Sequence, residues 1–426
     1  MMPGSGNCSR KCNPSMNPNP ARPPLLTPRF LFIAGSLAVL LALTLSPATR
    51  ARLGVFDRGQ WFLDAHSVLG ANDAERKVVG ANASGHDQML LEGHHYSDWW
   101  FGLRLLGLTQ RDAFLVGGGW VLLFLLAVFA TVKPGSRAEA LWLVLLTGSP
   151  PVLLGVIRAN SDLLIFAVLA VAVLALRFVS GRRLVLAFAA VALATGLKFY
   201  PVAAGLVFLQ VPGVRRMLRA TGWAAGLLGA VVASLSTQLH RGIFHVEPEI
   251  YTLGGRIWLM DLGLAEQPAI LVSLVLLAAA AGVAAWRGWT TGLARAEDDL
   301  GGRVAMTLGA ALLVFCFLGT INFGYRWVFA LWLAPWLWSH RRGSPAARAA
   351  VWLLPLILWH DGFLCLATNL WFPHLRQEQY DHILVAWRLV TEPLVWLVMI
   401  LLAGWLLDLV RVRGREARAE LIPTRR

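Results

Sequence analysis

The sequence predicts an all-α bundle of membrane-spanning helices, about ten to twelve of them, and three observations carry that expectation. The 426 residues are 57% hydrophobic and only 15% charged, whereas a soluble domain carries about a quarter charged residues. Mean hydropathy is +0.60. Apolar runs of about 18 to 22 residues recur between residues 30 and 410, each long enough to cross a hydrocarbon core of about 30 Å as a helix.

The formal net charge is +14, but the basic residues sit in short clusters between apolar runs rather than along one face. Cytoplasmic loops of a membrane protein account for that pattern. The partner expected from it is membrane lipid, with no nucleic acid. Four cysteines are too few and too scattered for a disulfide framework or a zinc site. Cys8 and Cys12 lie in a polar tail, and Cys316 and Cys365 lie inside apolar runs. No metal and no cofactor is expected. Residues 1–28, rich in Pro, Asn and Ser, read as a disordered cytoplasmic tail with nothing to bury. Residues 29–411 read as the membrane domain and 412–426 as a basic cytoplasmic tail. The first apolar run, Phe30 to Ala48, is longer than the core of a signal peptide and reads as a retained span.

With the basic clusters on the cytoplasmic side, the first span exits near Ala48 and residues 49–112 form a long outer loop. Ala113 to Val132 returns to Lys133 and Arg137, the next span exits at Arg158 to Asp162, and Arg177, Arg182 and Arg183 bring the chain back. The stretch Leu184 to Val211 has basic flanks at both ends. Two short helices meeting at Gly196-Leu197-Lys198-Phe199-Tyr200-Pro201 satisfy both, because proline removes a backbone donor and clashes with the preceding turn. A broken helix at membrane depth lines protein or a wet cavity, so Lys198 is expected at an outer-side break. Spans then follow at Gly222 to Leu239, Pro268 to Trp286, Val304 to Thr320, Trp327 to Trp338, Ala350 to Thr368 and Pro393 to Val410. Residues 240–266 and 369–392 join 49–112 as outer loops.

The outer loop 49–112 is the least membrane-like stretch and the richest in ionisable groups. Trp61, Phe62, Ala65, Val68 and Leu69 fall on one arc at about 100° per residue, the pattern of a helix lying in the membrane interface. Asp64 projects at the edge of that arc, where a base would act on a hydroxyl presented to a lipid-bound donor. Composition by itself favours a solvated loop carboxylate. His66, His86, His94 and His95 share the loop without metal-ligand spacing, and Trp99 and Trp100 read as an interfacial aromatic belt.

Arg158, Asn160 and Asp162 mark the turn between two spans. Asn160 and Asp162 either hold a sugar or cap the following helix. Lys198 is a lone ammonium inside an apolar stretch, which is expensive and marks function by default; a phosphate partner would explain it. Tyr325 and Arg326 supply a second cation, though an arginine snorkelling to the interface fits nearly as well. No Walker A loop or dinucleotide fingerprint occurs.

Taken together, Arg158-Ala159-Asn160-Ser161-Asp162-Leu163-Leu164-Ile165-Phe166, Gly196-Leu197-Lys198-Phe199-Tyr200-Pro201 and Phe323-Gly324-Tyr325-Arg326-Trp327 resemble, in order and spacing, glycosyltransferase family 87. These are the polyprenyl-phosphate-mannose-dependent mannosyltransferases of GT-C fold. Trp61-Phe62-Leu63-Asp64-Ala65-His66 is similar to that family's first outer loop, and the likeness spans about residues 30 to 340. Where the family commonly has an aromatic–Pro pair, this chain has His94-His95-Tyr96-Ser97-Asp98-Trp99-Trp100. The resemblance implies a polytopic GT-C bundle in a bacterial-type plasma membrane, with its active site on the extracytoplasmic face. It implies transfer of a hexose, mannose first, from a polyprenyl-phosphate sugar donor to a hydroxyl of a glycolipid or glycan acceptor, with inversion. Asp64 would then be the general base, and Lys198 and Arg326 would hold the donor phosphate. His66, Asn160, Asp162, Tyr200 and Tyr325 would line the substrate groove.

A secondary transporter is the alternative from another class, since broken helices and intramembrane charge also mark transport sites. It predicts paired, repeated breaks, and the sequence has one clear break and no internal repeat. An assembly protein of the envelope would leave Lys198 without a role.

Overall fold

The computed structural model describes residues 27–55, 61–79, 84, 97–178, 180–235, 251–291, 299–319, 322–372 and 374–421. The expected tail 1–26, with Cys8 and Cys12, and the loop histidines His86, His94 and His95 with Tyr96 lie outside the described residues. The described chain is an all-α polytopic bundle whose one small exception is a two-stranded pairing.

It begins with α1 (Pro28–Leu45), started by proline in its first turn and by the Thr27 hydroxyl, which accepts from the Phe30 amide at 3.2 Å. A second proline and a Ser46 cap start α2 (Pro47–Arg52) immediately afterwards. Then come α3 (Leu63–Val79) and a 3₁₀ segment, Asp98–Leu106. Next are α4 (Ala113–Thr131), α5 (Arg137–Thr147) and α6 (Pro150–Arg158), the last two bent by 55° across Gly148 to Pro150. Proline at the start of α6 cannot continue the α5 ladder, which is why the span breaks there.

The centre of the bundle is α7 (Ser161–Leu176), packed between α4 and α8 (Gly181–Leu197). Chain direction changes at Lys198, whose backbone is extended, and a 3₁₀ segment runs from Tyr200 to Gln210. The two short helices expected at this place are present. α9 (Val214–Ser234) follows.

Strand β1 (Thr252–Leu253), then α10 (Gly255–Asp261), α11 (Glu266–Trp286) and α12 (Leu300–Gly319), lead to β2 (Asn322–Phe323). The strands are antiparallel, with Thr252 opposite Phe323 and Leu253 opposite Asn322. A 3₁₀ turn, Gly324–Phe329, runs into α13 (Ala330–His340), and α14 (Pro345–Trp371) and α15 (Gln377–Leu421) complete the bundle. Among the described residues the main core is an apolar cluster reaching from Phe32 on α1 to Ala417 on α15, with two smaller clusters beside it.

Three expectations change. Seven described helices are long and apolar enough to cross a membrane, eight if the bent pair α5–α6 is one span. The larger number expected from hydropathy runs came from shorter pieces such as α7 and the segment Tyr200–Gln210, which breaks at either end keep below spanning length. Second, residues 377–392 are not an outer loop. They are the first turns of α15, a 45-residue helix and so about 67 Å long at 1.5 Å per residue. That exceeds the hydrocarbon thickness, so α15 carries both polar residues 377–392 and the basic stretch 412–421 as helix. Third, the apolar arc of α3 is turned into protein: Ala65, Val68 and Leu69 are fully buried in the main core, and α3 packs on α4, α6 and the segment Asp98–Leu106.

Candidate active site

α6 ends at Arg158 and α7 begins at Ser161, so two residues must reverse the chain. Ala159 takes a left-handed conformation, φ 44°, and Asn160 caps α7, its Oδ1 accepting from the Asp162 amide at 2.8 Å. Phe62, two residues before Asp64, is also left-handed, φ 59°. Such conformations cost about 1–3 kcal/mol each in a non-glycine residue and persist only where surroundings impose them. Here the Phe62 amide donates to the Ile157 carbonyl at 2.9 Å, which ties the start of α3 to the end of α6. Gly117 makes room for the Phe62 ring, which a Cβ there would meet at 2.8 Å.

This docking sets Asp64 against the turn. Arg158 donates to Asp64 Oδ1 from Nε at 3.1 Å and from Nη2 at 2.7 Å, and Asn160 Nδ2 donates to Asp64 Oδ2. Asp64 is buried. It is no solvated loop carboxylate.

Two residues beyond Asn160, Asp162 is fully buried and collects cations. Lys198 Nζ donates to its Oδ1, as does the Tyr200 hydroxyl at 2.9 Å. Arg326 Nε lies 3.5 Å from Oδ2, outside hydrogen-bond geometry. Among the described residues, Asp162 Oδ2 and Arg326 Nε are buried polar atoms without a hydrogen bond. The Arg326 guanidinium sits 4.6 Å above the Tyr200 ring, and Lys198 Nζ lies 5.9 Å from the Tyr325 ring. Phe323 stacks on Tyr325 at 5.6 Å, and Arg158 lies 5.8 Å from Phe323. Asn160 bonds the Asp64 carboxylate through Nδ2 and the Asp162 backbone amide through Oδ1, so it links the two ion clusters.

Compared with known protein families, with curated proteins and with solved structures, the chain matches none. The site is therefore read from its own residues.

Two features hold Lys198 where it is. The α8 helix stops because Pro201 follows within a turn, freeing the carbonyls of Gly196 and Leu197. Both are taken up by residues at the start of the segment Asp98–Leu106: the Ser97 hydroxyl donates to the Gly196 carbonyl, and Trp100 Nε1 donates to the Leu197 carbonyl at 2.9 Å. Trp100 is buried, so it is not a belt residue as its position beside an apolar helix implied. It plugs a helix end. Only glycine fits at 196, where a Cβ would lie 2.2 Å from the Trp99 ring.

On the far side of β2, the Gly324 amide donates to the carbonyl of Tyr251, a third left-handed residue at φ 58°. Tyr251 in turn donates its amide to Asp361 at 2.9 Å, and Asp361 faces His360 Nε2 at 3.2 Å. This bracing fixes the turn that carries Tyr325 and Arg326.

Of the residues singled out from sequence, the structure brings together Asp64, Asn160, Asp162, Lys198, Tyr200, Tyr325 and Arg326. It does not bring in His66. That ring stands edge-on to Phe114 at 5.7 Å, about 200° round α3 from Asp64. Among the described residues no cluster of three or more His, Cys, Asp or Glu could hold a metal. Arg158 had no role assigned from sequence, although it stands two residues before Asn160 in the same motif.

Proposed function

We propose that the chain is a membrane glycosyltransferase of GT-C type, similar to glycosyltransferase family 87. It moves a hexose, mannose first, from a polyprenyl-phosphate donor to a hydroxyl of a glycolipid or glycan acceptor. The observation that carries this reading is the single buried network in which Asn160 joins Asp64 to Asp162, and Asp162 to Lys198 and Arg326. A base and a pair of cations held on either side of one residue, Asn160, is what transfer from a phosphate leaving group requires.

In that reaction the acceptor hydroxyl oxygen attacks the anomeric carbon as Asp64 takes its proton. The bond from that carbon to the phosphate oxygen breaks, and its electron pair leaves with the polyprenyl phosphate. Negative charge thus grows on the phosphate, and Lys198 and Arg326, already oriented by Asp162, meet it without reorganisation. A single displacement inverts the anomeric centre. The buried Asp162 Oδ2 without a hydrogen bond suits a sugar hydroxyl, since buried acceptors are rarely left unsatisfied. The site faces away from the cytoplasm of a bacterial-type plasma membrane, where the lipid-linked sugar is presented after flipping. Neither nucleotide nor ATP takes part.

Membranes holding the protein, given radiolabelled polyprenyl-phosphate mannose, test this directly. Wild type transfers label to an endogenous acceptor, whereas Asp64→Asn and Lys198→Ala do not. Undiminished transfer by Asp64→Asn removes that residue as the base, and movement of an unaltered solute across vesicles without transfer favours the secondary transporter.

A further inference from the structure

One oxygen of the carboxylate assigned as the base is fully engaged. Asp64 receives three donors among the described residues, two of them from Arg158 on Oδ1 and one from Asn160 on Oδ2, and each carboxylate oxygen offers about two lone-pair sites. Charge-assisted bonds of this kind are about twice as strong as neutral ones, so Oδ1 held this way is a poor acceptor for a hydroxyl proton. Whatever frees it must compete for the guanidinium.

Arg158 is well placed to be drawn away. Its side chain is 24% exposed, against 6% for Asp64, 12% for Lys198 and 16% for Arg326. It is the cation of the network nearest the surface. Arg158 and Lys198 also flank one aromatic stack, the first over Phe323 and the second beside Tyr325. Among the described residues the network sets three cations, Arg158, Lys198 and Arg326, against two carboxylates, Asp64 and Asp162. One positive charge is in excess. A sugar phosphodiester carries one negative charge, and the phosphomonoester released after transfer carries more.

We propose, resting on the transferase reading above, that Arg158 is a third ligand of the donor phosphate and that its transfer from Asp64 to a phosphate oxygen is what frees the base. Guanidinium forks bind phosphate oxygens as readily as carboxylates, so the exchange replaces one pair of charge-assisted hydrogen bonds by another. Asn160 stays on Oδ2 and keeps the carboxylate oriented while Oδ1 opens toward the acceptor. Without donor, the base is covered; with donor, base and electrophile are armed together. Arg158 is thus a substrate-binding residue that also positions Asp64.

The test measures access to Asp64 without any sugar transfer. Purified wild type in detergent is treated with dicyclohexylcarbodiimide, and the adduct on the Asp64 peptide is quantified by mass spectrometry, with farnesyl phosphate or uncharged farnesol present. Farnesyl phosphate is expected to raise Asp64 labelling about tenfold, the order of one charge-assisted hydrogen bond, and farnesol is expected to leave it unchanged. Arg158→Ala is expected to label fast with or without phosphate, and Arg158→Lys, a point charge without the fork, to fall between. Unchanged or reduced labelling of wild type with farnesyl phosphate overturns the proposal, as does equal stimulation by farnesol. Labelling and transfer fail separately. A phosphate response without mannose transfer sinks the transferase reading alone, and Asp64-dependent transfer without a phosphate response sinks the role of Arg158 alone.

Discussion

Asn160 hydrogen-bonds across to Asp64 through its Nδ2 while its Oδ1 accepts the amide of Asp162. A helix cap and a bridge between two buried acids are therefore the same side chain, and the two roles separate by substitution. Asn160→Ala loses the cap, about 1 kcal/mol, and leaves Oδ2 of Asp64 without its donor. Transfer is expected to fall by about 100-fold, the order that misplacing a catalytic group produces. Asn160→Ser retains a capping oxygen but is too short to reach Asp64, so it should unfold near the wild-type temperature while losing as much activity as alanine. Thermal unfolding in detergent alongside initial rates decides this; an Asn160→Ser variant as active as wild type removes the bridge from the proposed mechanism.

Asp162 holds Lys198 and Tyr200 on one oxygen and stands 3.5 Å from Arg326 with the other. Asp162→Asn leaves two cations in the interior without their shared counter-charge, and breaking a buried pair this way costs about 3–5 kcal/mol. Lys198→Met removes one cation and leaves Arg326 to balance the acid, so it should cost less stability and chiefly raise the donor KM. Made together, the two changes are expected to cost less than their sum by about 0.5–3 kcal/mol, the range for residues in direct contact. Unfolding temperatures of the two single variants and the double variant give that coupling, and strict additivity contradicts the contact.

How much of this site was readable beforehand follows from how far apart its partners lie in sequence. Lys198 declared itself because an ammionium-bearing side chain in an apolar run needs a partner, and Asn160 and Asp162 because amide and acid at a helix start are local signals. The pairing of Arg158 with Asp64 spans 94 residues, and nothing local announces it. Side-chain period on α3 placed Ala65, Val68 and Leu69 on one face correctly, but period cannot say whether lipid or protein covers that face; here it is protein. Likewise the polar start of α15 resembled a loop because composition reports polarity, whereas Arg388, Thr391 and Glu392 in it are buried against protein as part of a helix. Trp100 was misread for the converse reason: its indole found a backbone carbonyl inside the protein rather than a lipid headgroup.

Gly196 offers a test of what fixes Lys198. A Cβ there would come within 2.2 Å of the Trp99 ring, while the same atom at Gly118 meets nothing within 4 Å. Gly196→Ala should push the segment Asp98–Leu106 off the end of α8, loosening the Ser97 and Trp100 bonds that close the helix. Overpacking of this kind costs about 1–3 kcal/mol, and transfer should fall further than stability, because the next residue but one is Lys198, which the proposed function gives to the donor phosphate. Gly118→Ala, in the middle of α4, should hold wild-type activity and gain up to about 1 kcal/mol from helix propensity. Equal loss of activity in both variants would show that the close approach of Trp99 has no part in placing Lys198.

Away from the network, Arg388 on α15 grips Asp261 at the end of α10 with two bonds, Nε to Oδ2 and Nη2 to Oδ1, each 2.9 Å. Both side chains are under a tenth exposed, and the fork fixes α10, next in the chain after β1, against the longest helix. Removing one partner strands the other charge, so Arg388→Met is expected to cost about 3–5 kcal/mol, and adding Asp261→Leu should restore part of that, since apolar replacement of a whole buried pair is often neutral. Recovery stays partial because the buried Glu392 carboxyl also lies within electrostatic reach of Arg388. Transfer per folded molecule should be unchanged in both variants, which separates this pair from Asp162 and Lys198. Unfolding temperature with activity normalised to folded protein checks it: a double variant less stable than Arg388→Met means the pair does not act as a closed unit, and a loss of specific activity means α10 reaches the active site.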